Sequence, residues 1–172
     1  MDKKYPLQFF CRKTKKDLIE ITEWFEAGKV KIGFRKYDNN EQKGSKVNAS
    51  IDFYLTIQEM DLLCRNLLSG NIITKAAKGM KIDPFYKGSE RDNQIYSRVF
   101  TFNKSNKGLF FTVHEGPGRK TDTGSFEPLY KLNEAPVKIS ISLDVEEIKS
   151  FAIQGKRACD YYYANYFGRD RG

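Results

Sequence analysis

Apolar and polar residues alternate strictly in two stretches of the chain, and each alternation gives way to a helical period at a capped junction. In the first, Ile51, Phe53 and Leu55 alternate with Ser50, Asp52 and Tyr54, the period of a strand with one buried face. Thr56 and Glu59 then form a T-x-x-E capping box. Ile57, Met60, Leu63, Cys64, Leu67 and Leu68 follow at helical spacing until Gly70 closes the element. In the second, Val137, Ile139, Ile141 and Leu143 alternate with Lys138, Ser140 and Ser142, Asp144 and Glu147 form the cap, and Val145, Ile148, Phe151 and Ala152 begin the stripe. The offset is 88 residues throughout, with Leu55 answering Leu143, Met60 answering Ile148 and Leu63 answering Phe151. Agreement in strand, cap and stripe together marks an internal repeat.

Upstream of each strand-helix unit the pattern predicts three more strands. They span residues 7–12, 18–26 and 29–37 in the first half, and 95–102, 108–115 and 126–132 in the second. Residues 15–26 also fit a helical period through Leu18, Ile21, Thr22 and Phe25, so both readings stand for that segment. The predicted fold class is α+β. Two ββββα repeats, over residues 5–70 and 95–167, are joined by a basic surface linker, 71–94, and followed by a short tail, 168–172. Neither repeat is large enough to bury its helix stripe and sheet face alone, so the two are expected to pack as one pseudo-twofold domain over residues 1–172.

Charge narrows the class of partner. Lys and Arg number 30 against 22 Asp and Glu, a net charge of +8, and the excess concentrates in residues 1–50 and 71–109 and not in a tail. A folded basic surface of this kind favours a polyanionic partner. The three cysteines, Cys11, Cys64 and Cys159, are too widely spaced for a disulfide framework or a zinc site, and reduced thiols are expected. No apolar run is long enough for a signal peptide or a membrane span, so a cytoplasmic protein without a membrane partner is expected.

Two quoted stretches carry a family resemblance. "KVKIGFRKYDNNEQKGSKVNASIDFYLTIQEMDLL" is similar to the pattern of the transcriptional positive cofactor four family: a basic strand, a polar loop with Gly and Lys, a strand, then a capped helix. "NKGLFFTVHEGPG" resembles the strand-turn-strand of the Pur-alpha repeats, with Lys107, Gly108 and Phe110 on the motif and Leu109 where that pattern has Arg. Together with the doubled ββββα plan, they resemble the superfamily that also contains the whirly proteins. The resemblance implies a whirly-like unit of curved antiparallel sheets packed with helices, which binds single-stranded nucleic acid on those sheets.

Alternation selects the residues that face away from the core. With Val30, Ile32 and Phe34 inward, Lys29, Lys31, Arg35 and Tyr37 face out, beside Trp24 and Tyr54 of the neighbouring strands. In the second half Phe110, Thr112 and His114 face out next to Lys138, with Lys107 at the turn. His114, the sole histidine, is expected to be a plain surface residue. Cations neutralise phosphates and rings stack on unpaired bases, so the expected nucleic-acid-binding set is Trp24, Lys29, Lys31, Arg35, Tyr37, Tyr54, Lys107, Phe110, Thr112 and Lys138.

The expected partner is single-stranded DNA, bound with little sequence preference. Single-stranded RNA is the alternative, and an acidic protein docked on the same sheet is the alternative from another class. No nucleophile with a base, metal cluster or phosphate loop is visible, so neither catalysis nor a cofactor is expected. In the last helix Tyr162 and Tyr166 continue the packing stripe. Tyr161, Tyr163 and Phe167 fall off it and are expected to meet a second copy in a homodimer.

Overall fold

The computed structural model describes residues 4–38 and 46–168, so the polar loop at 39–45 and the tail residues 169–172 lie outside the described residues. Strands β1 (Gln8–Lys13), β2 (Asp17–Trp24), β3 (Lys29–Asp38) and β4 (Lys46–Thr56) pair antiparallel in chain order, and α1 (Ile57–Leu68) follows directly. A short α2 (Asn71–Ala77) leads into β5 (Phe85–Arg91), β6 (Gln94–Lys104) and β7 (Gly108–Lys120). The three-residue β8 (Phe126–Pro128) pairs with the far end of β7, and β9 (Val137–Asp144) pairs with its near end before α3 (Val145–Asn165). The architecture is ββββα twice, with β8 an addition to the second copy.

The register makes the repeat quantitative. Lys29 lies opposite Thr56 in β3–β4 and Gly108 lies opposite Asp144 in β7–β9, so β4 maps onto β9 with an offset of 88 and β3 onto β7 with an offset of 79. Val30, Ile32 and Phe34 thereby coincide with Leu109, Phe111 and Val113, all fully buried. The pairing of β2 with β3 and of β6 with β7 likewise aligns Ile19 and Ile21 with Phe100 and Phe102. The two inner faces share one core. Phe100 packs on Phe34 and Phe53 of the first sheet at 5.3 and 5.4 Å between ring centroids, and Phe151 of α3 bridges Phe10 and Phe111.

Both predicted capping boxes form. The Thr56 hydroxyl accepts from the Glu59 N–H while the Glu59 carboxylate accepts from the Thr56 N–H, and Asp144 and Glu147 repeat the exchange. Each carboxylate also takes a cation from the opposite half. Lys87 Nζ lies 2.7 Å from Glu59, and Arg12 Nε lies 2.6 Å from Glu147. Where α1 and α3 cross, a side chain at Gly155 would run into Met60 Cε and stand 2.6 Å from Cys64 Sγ, so the helices need glycine there to approach. Cys64 and Cys159 are free thiols buried at this crossing. Burial pushes Cys159 up to about 12 and Cys64 higher still, which leaves both inert.

One open reading is settled and two expectations change. Of the strand and helix readings of residues 15–26 the strand holds: β2 spans Asp17–Trp24 and ends in a single 3-10 turn, Phe25–Ala27, because it is paired on both edges and those ladders outweigh its helical period. The segment 71–94 is not a surface linker: it holds α2 and the edge strand β5, joined to β6 by a two-residue turn with Asp92 and Asn93 at φ 51° and 60°. The strand expected over 126–132 shrinks to β8. β8 and the residues after it fold back over the outer face of the second sheet, where Phe126 lies against Gly88 and Tyr130 against Gly116.

Candidate functional site

The outer face of the first sheet places Trp24, Lys29, Lys31, Arg35 and Tyr54 on three adjacent strands. In register, Trp24 lies opposite Lys29 and Lys31 lies opposite Tyr54. The Trp24 and Tyr54 rings meet edge to face at 5.8 Å, and Trp24 stays 51% exposed. Further along β3, Arg35 Nη2 is 2.8 Å from Asp52 Oδ1 and Lys31 Nζ is 4.0 Å from the other carboxylate oxygen, so Asp52 offsets much of this part of the stripe. Tyr37 is eight residues beyond Lys29, about 26 Å along an extended strand. Lys13 Nζ sits 5.3 Å from its ring centroid.

Trp24, Lys29 and Tyr54 form one wall of a cleft of about 250 Å³ whose other wall is Lys87, Ser89, Arg91 and Arg98. In this second wall Lys87, Ser89 and Arg91 come from β5, inside the segment expected to be a linker, and Arg98 comes from β6. The signal that could have found it is Asp92-Asn93. These are residues that tolerate positive φ, standing between two short polar runs as a two-residue hairpin requires. Lys87 is tied to Glu59, and Arg98 lies 2.5 Å from Glu115. Lys29 and Arg91 make no ion pair among the described residues. Burial and then Asp52 raise the Tyr54 phenol, and the arginines Arg98, Arg91 and Arg35 pull the other way. The net upward shift keeps Tyr54 a neutral ring.

The two flanks of Trp24 differ in charge. On the other flank of Trp24 a hollow of about 290 Å³ is lined by Glu23 and Glu26, with Lys4, Phe25 and Tyr166. An anion at the Trp24 ring is therefore drawn to the flank shared with Lys29 and Arg91.

The remaining expected residues lie elsewhere. Lys107 and Phe110, the latter 38% exposed, line a cleft of about 360 Å³ with Arg12, Lys104, Asn106 and Glu147. Lys138 is exposed on the rim of a wider groove of about 670 Å³ that includes Met80, Lys81, Tyr86 and His114. Thr112 is corrected: it is only 4% exposed and shares a 2.8 Å hydrogen bond with the Ser140 hydroxyl, so its oxygen is neither free nor accessible. His114, expected at the surface, is also 4% exposed. Its Nδ1 lies 3.2 Å from the Val99 carbonyl. Burial, with Lys138 beside it, holds the ring below its ordinary pKa despite the Val99 bond, so it adds no cation to this face at neutral pH. Tyr161 stacks on Phe25 at 5.8 Å and meets Phe9 edge-on, yet it stays exposed, as Tyr163 and Phe167 do.

Among the described residues, no group of three or more His, Cys, Asp or Glu side chains could hold a metal, and no helix is long and apolar enough to cross a membrane. No protein-family model and no curated protein matches the sequence. In three dimensions the chain is similar to the crystal structure of WHY1 from Arabidopsis thaliana. The alignment covers 98% of this chain and 99% of that chain, with a TM-score of 0.57 and 10% sequence identity. The fold is whirly-like, as the resemblance implied.

Proposed function

We propose that this chain binds single-stranded nucleic acid without catalysing a reaction, DNA in preference to RNA, and that the cleft between the first sheet and β5–β6 holds the strand. The observation that carries the reading is the placement of Trp24 and Tyr54 beside Lys29 and Arg91, two cations with no ion pair among the described residues. Unpaired bases offer free faces, and each base stacked on an aromatic side chain contributes about 1–3 kcal/mol. Phosphates on either side of a stacked base meet the cations and release counterions. A duplex keeps its bases stacked on one another and has no face to offer. Binding is then tolerant of sequence and steeply dependent on salt. The whirly-like fold supports the same reading at the level of architecture.

The test uses Trp24, the sole tryptophan, as a fluorescence reporter. Oligo-dT is expected to quench its emission saturably, oligo-U more weakly at equal concentration, and duplex of the same length hardly at all. Equal quenching by duplex would reduce the site to a cationic patch, and stronger quenching by oligo-U would reassign the ligand to RNA.

A further inference from the structure

The cleft at Lys107 and Phe110 is not an isolated hollow. The register that maps β4 onto β9 and β3 onto β7 places Ser142 where Tyr54 stands and Phe110 where Lys31 stands; the β2–β6 alignment places Ser105 where Trp24 stands. The ring contact of Trp24 with Tyr54 is matched by a hydrogen bond of 3.2 Å from the Ser142 hydroxyl to the Ser105 hydroxyl. Each cleft is lined by a cation from the edge strand of the opposite half, Lys87 or Arg12, which is paired with the third residue of a capped helix, Glu59 or Glu147. Each also holds two cations without an ion pair among the described residues: Lys29 and Arg91 in one, Lys104 and Lys107 in the other.

The two clefts are thus the same place in the two halves, furnished differently. In the second, small hydroxyls replace the two large rings, and a single ring, Phe110, enters from the central strand. We infer that the cleft lined by Arg12, Lys104, Asn106, Lys107 and Phe110 is a second single-strand subsite, which stacks one base on Phe110 and seats the flanking phosphates on Lys104 and Lys107. Arg12 acts by position. Held by Asp17 at 2.7 Å and by Glu147, it cancels the carboxylate that would repel a phosphate. With one ring in place of two, this subsite leans more on charge and is the weaker and more salt-sensitive of the pair.

This inference rests on the proposed function, and its test separates the two. Calorimetric titration of the intact chain with an oligo-dT too short to occupy both clefts is expected to give two bound oligonucleotides per chain. The double variant Phe110→Ala/Lys107→Ala, altered only at exposed positions, is expected to bind one, with Trp24 quenching unchanged. Trp24→Ala/Tyr54→Ala is expected to bind one as well, at the weaker affinity. Phe110→Ala alone should weaken the second event on the order of ten- to a hundredfold. Lys107→Ala alone should flatten the salt slope of the second event by about one. One oligonucleotide per chain in the parent with Trp24 quenched, or two in the Phe110→Ala/Lys107→Ala variant, would overturn the second subsite and leave the first standing. Absence of Trp24 quenching by every single strand would overturn the first.

Discussion

Lys29 and Arg35 stand on the same strand and the same face, yet they are not equivalent cations. Arg35 is paired with Asp52 at 2.8 Å, whereas Lys29 makes no ion pair among the described residues and opens onto the Trp24 cleft. Lys29→Ala is expected to weaken binding of every single-stranded sequence alike and to lower the slope of log affinity against log salt by about one. Arg35→Ala should change the slope by less than half as much, because its charge is already offset where a phosphate would sit. Affinity measured across a salt series decides between them, and equal slopes for the two variants would place the strand elsewhere on the sheet. At this scale alternation made Trp24, Lys29 and Phe110 readable as outward-facing residues. It could not reveal that Thr112 and His114, equally outward, are sealed. Their cover comes from other parts of the chain, and no local period records it.

The strand-to-helix junctions were the most readable elements, because a capping box joins residues three apart and both members are visible side by side. The edge strand β5 was the least readable. Its sequence, FYKGSER, has little apolar content, and it is a strand because β6 pairs along its length across the Asp92–Asn93 turn. Losing β5 cost the site half its cations, since Lys87 and Arg91 lie on it. The helix crossing shows a constraint of the opposite kind, in which a residue matters for what it lacks. Gly155→Ala would press a methyl against Met60 and Cys64 inside a filled core, and overpacking of that kind is expected to cost about 1–3 kcal/mol. A urea titration would show it as a lowered midpoint at unchanged slope. An unchanged midpoint would mean that the helices can separate without loss.

Across the whole molecule, each half stabilises the helix start of the other. Burial would raise the Glu59 carboxyl, but hydrogen bonds from Lys87 and from the Thr56 backbone, with the Lys87 charge, bring it below its ordinary value. A carboxylate with a depressed folded pKa contributes stability above its unfolded pKa, about 4.3, and that contribution is lost as the pH falls through the folded value. The stability advantage of the parent over Lys87→Met should therefore be full at neutral pH and shrink below about pH 4. Urea midpoints compared from neutral to acidic pH would show the narrowing, and a constant gap would mean that this ion pair is not what separates the two proteins.

The exchange of cations between halves also bears on how the chain can be divided. The exposed turn between α2 and β5 is where a cut would break no strand pairing. Yet each piece would keep a carboxylate whose cation left with the other piece, and a bare inner sheet face that had been filled by Phe100 or by Phe34 and Phe53. Neither fragment would be a protein by itself. Mixed together, the two would behave as an obligate heterodimer, each the folding template of its counterpart.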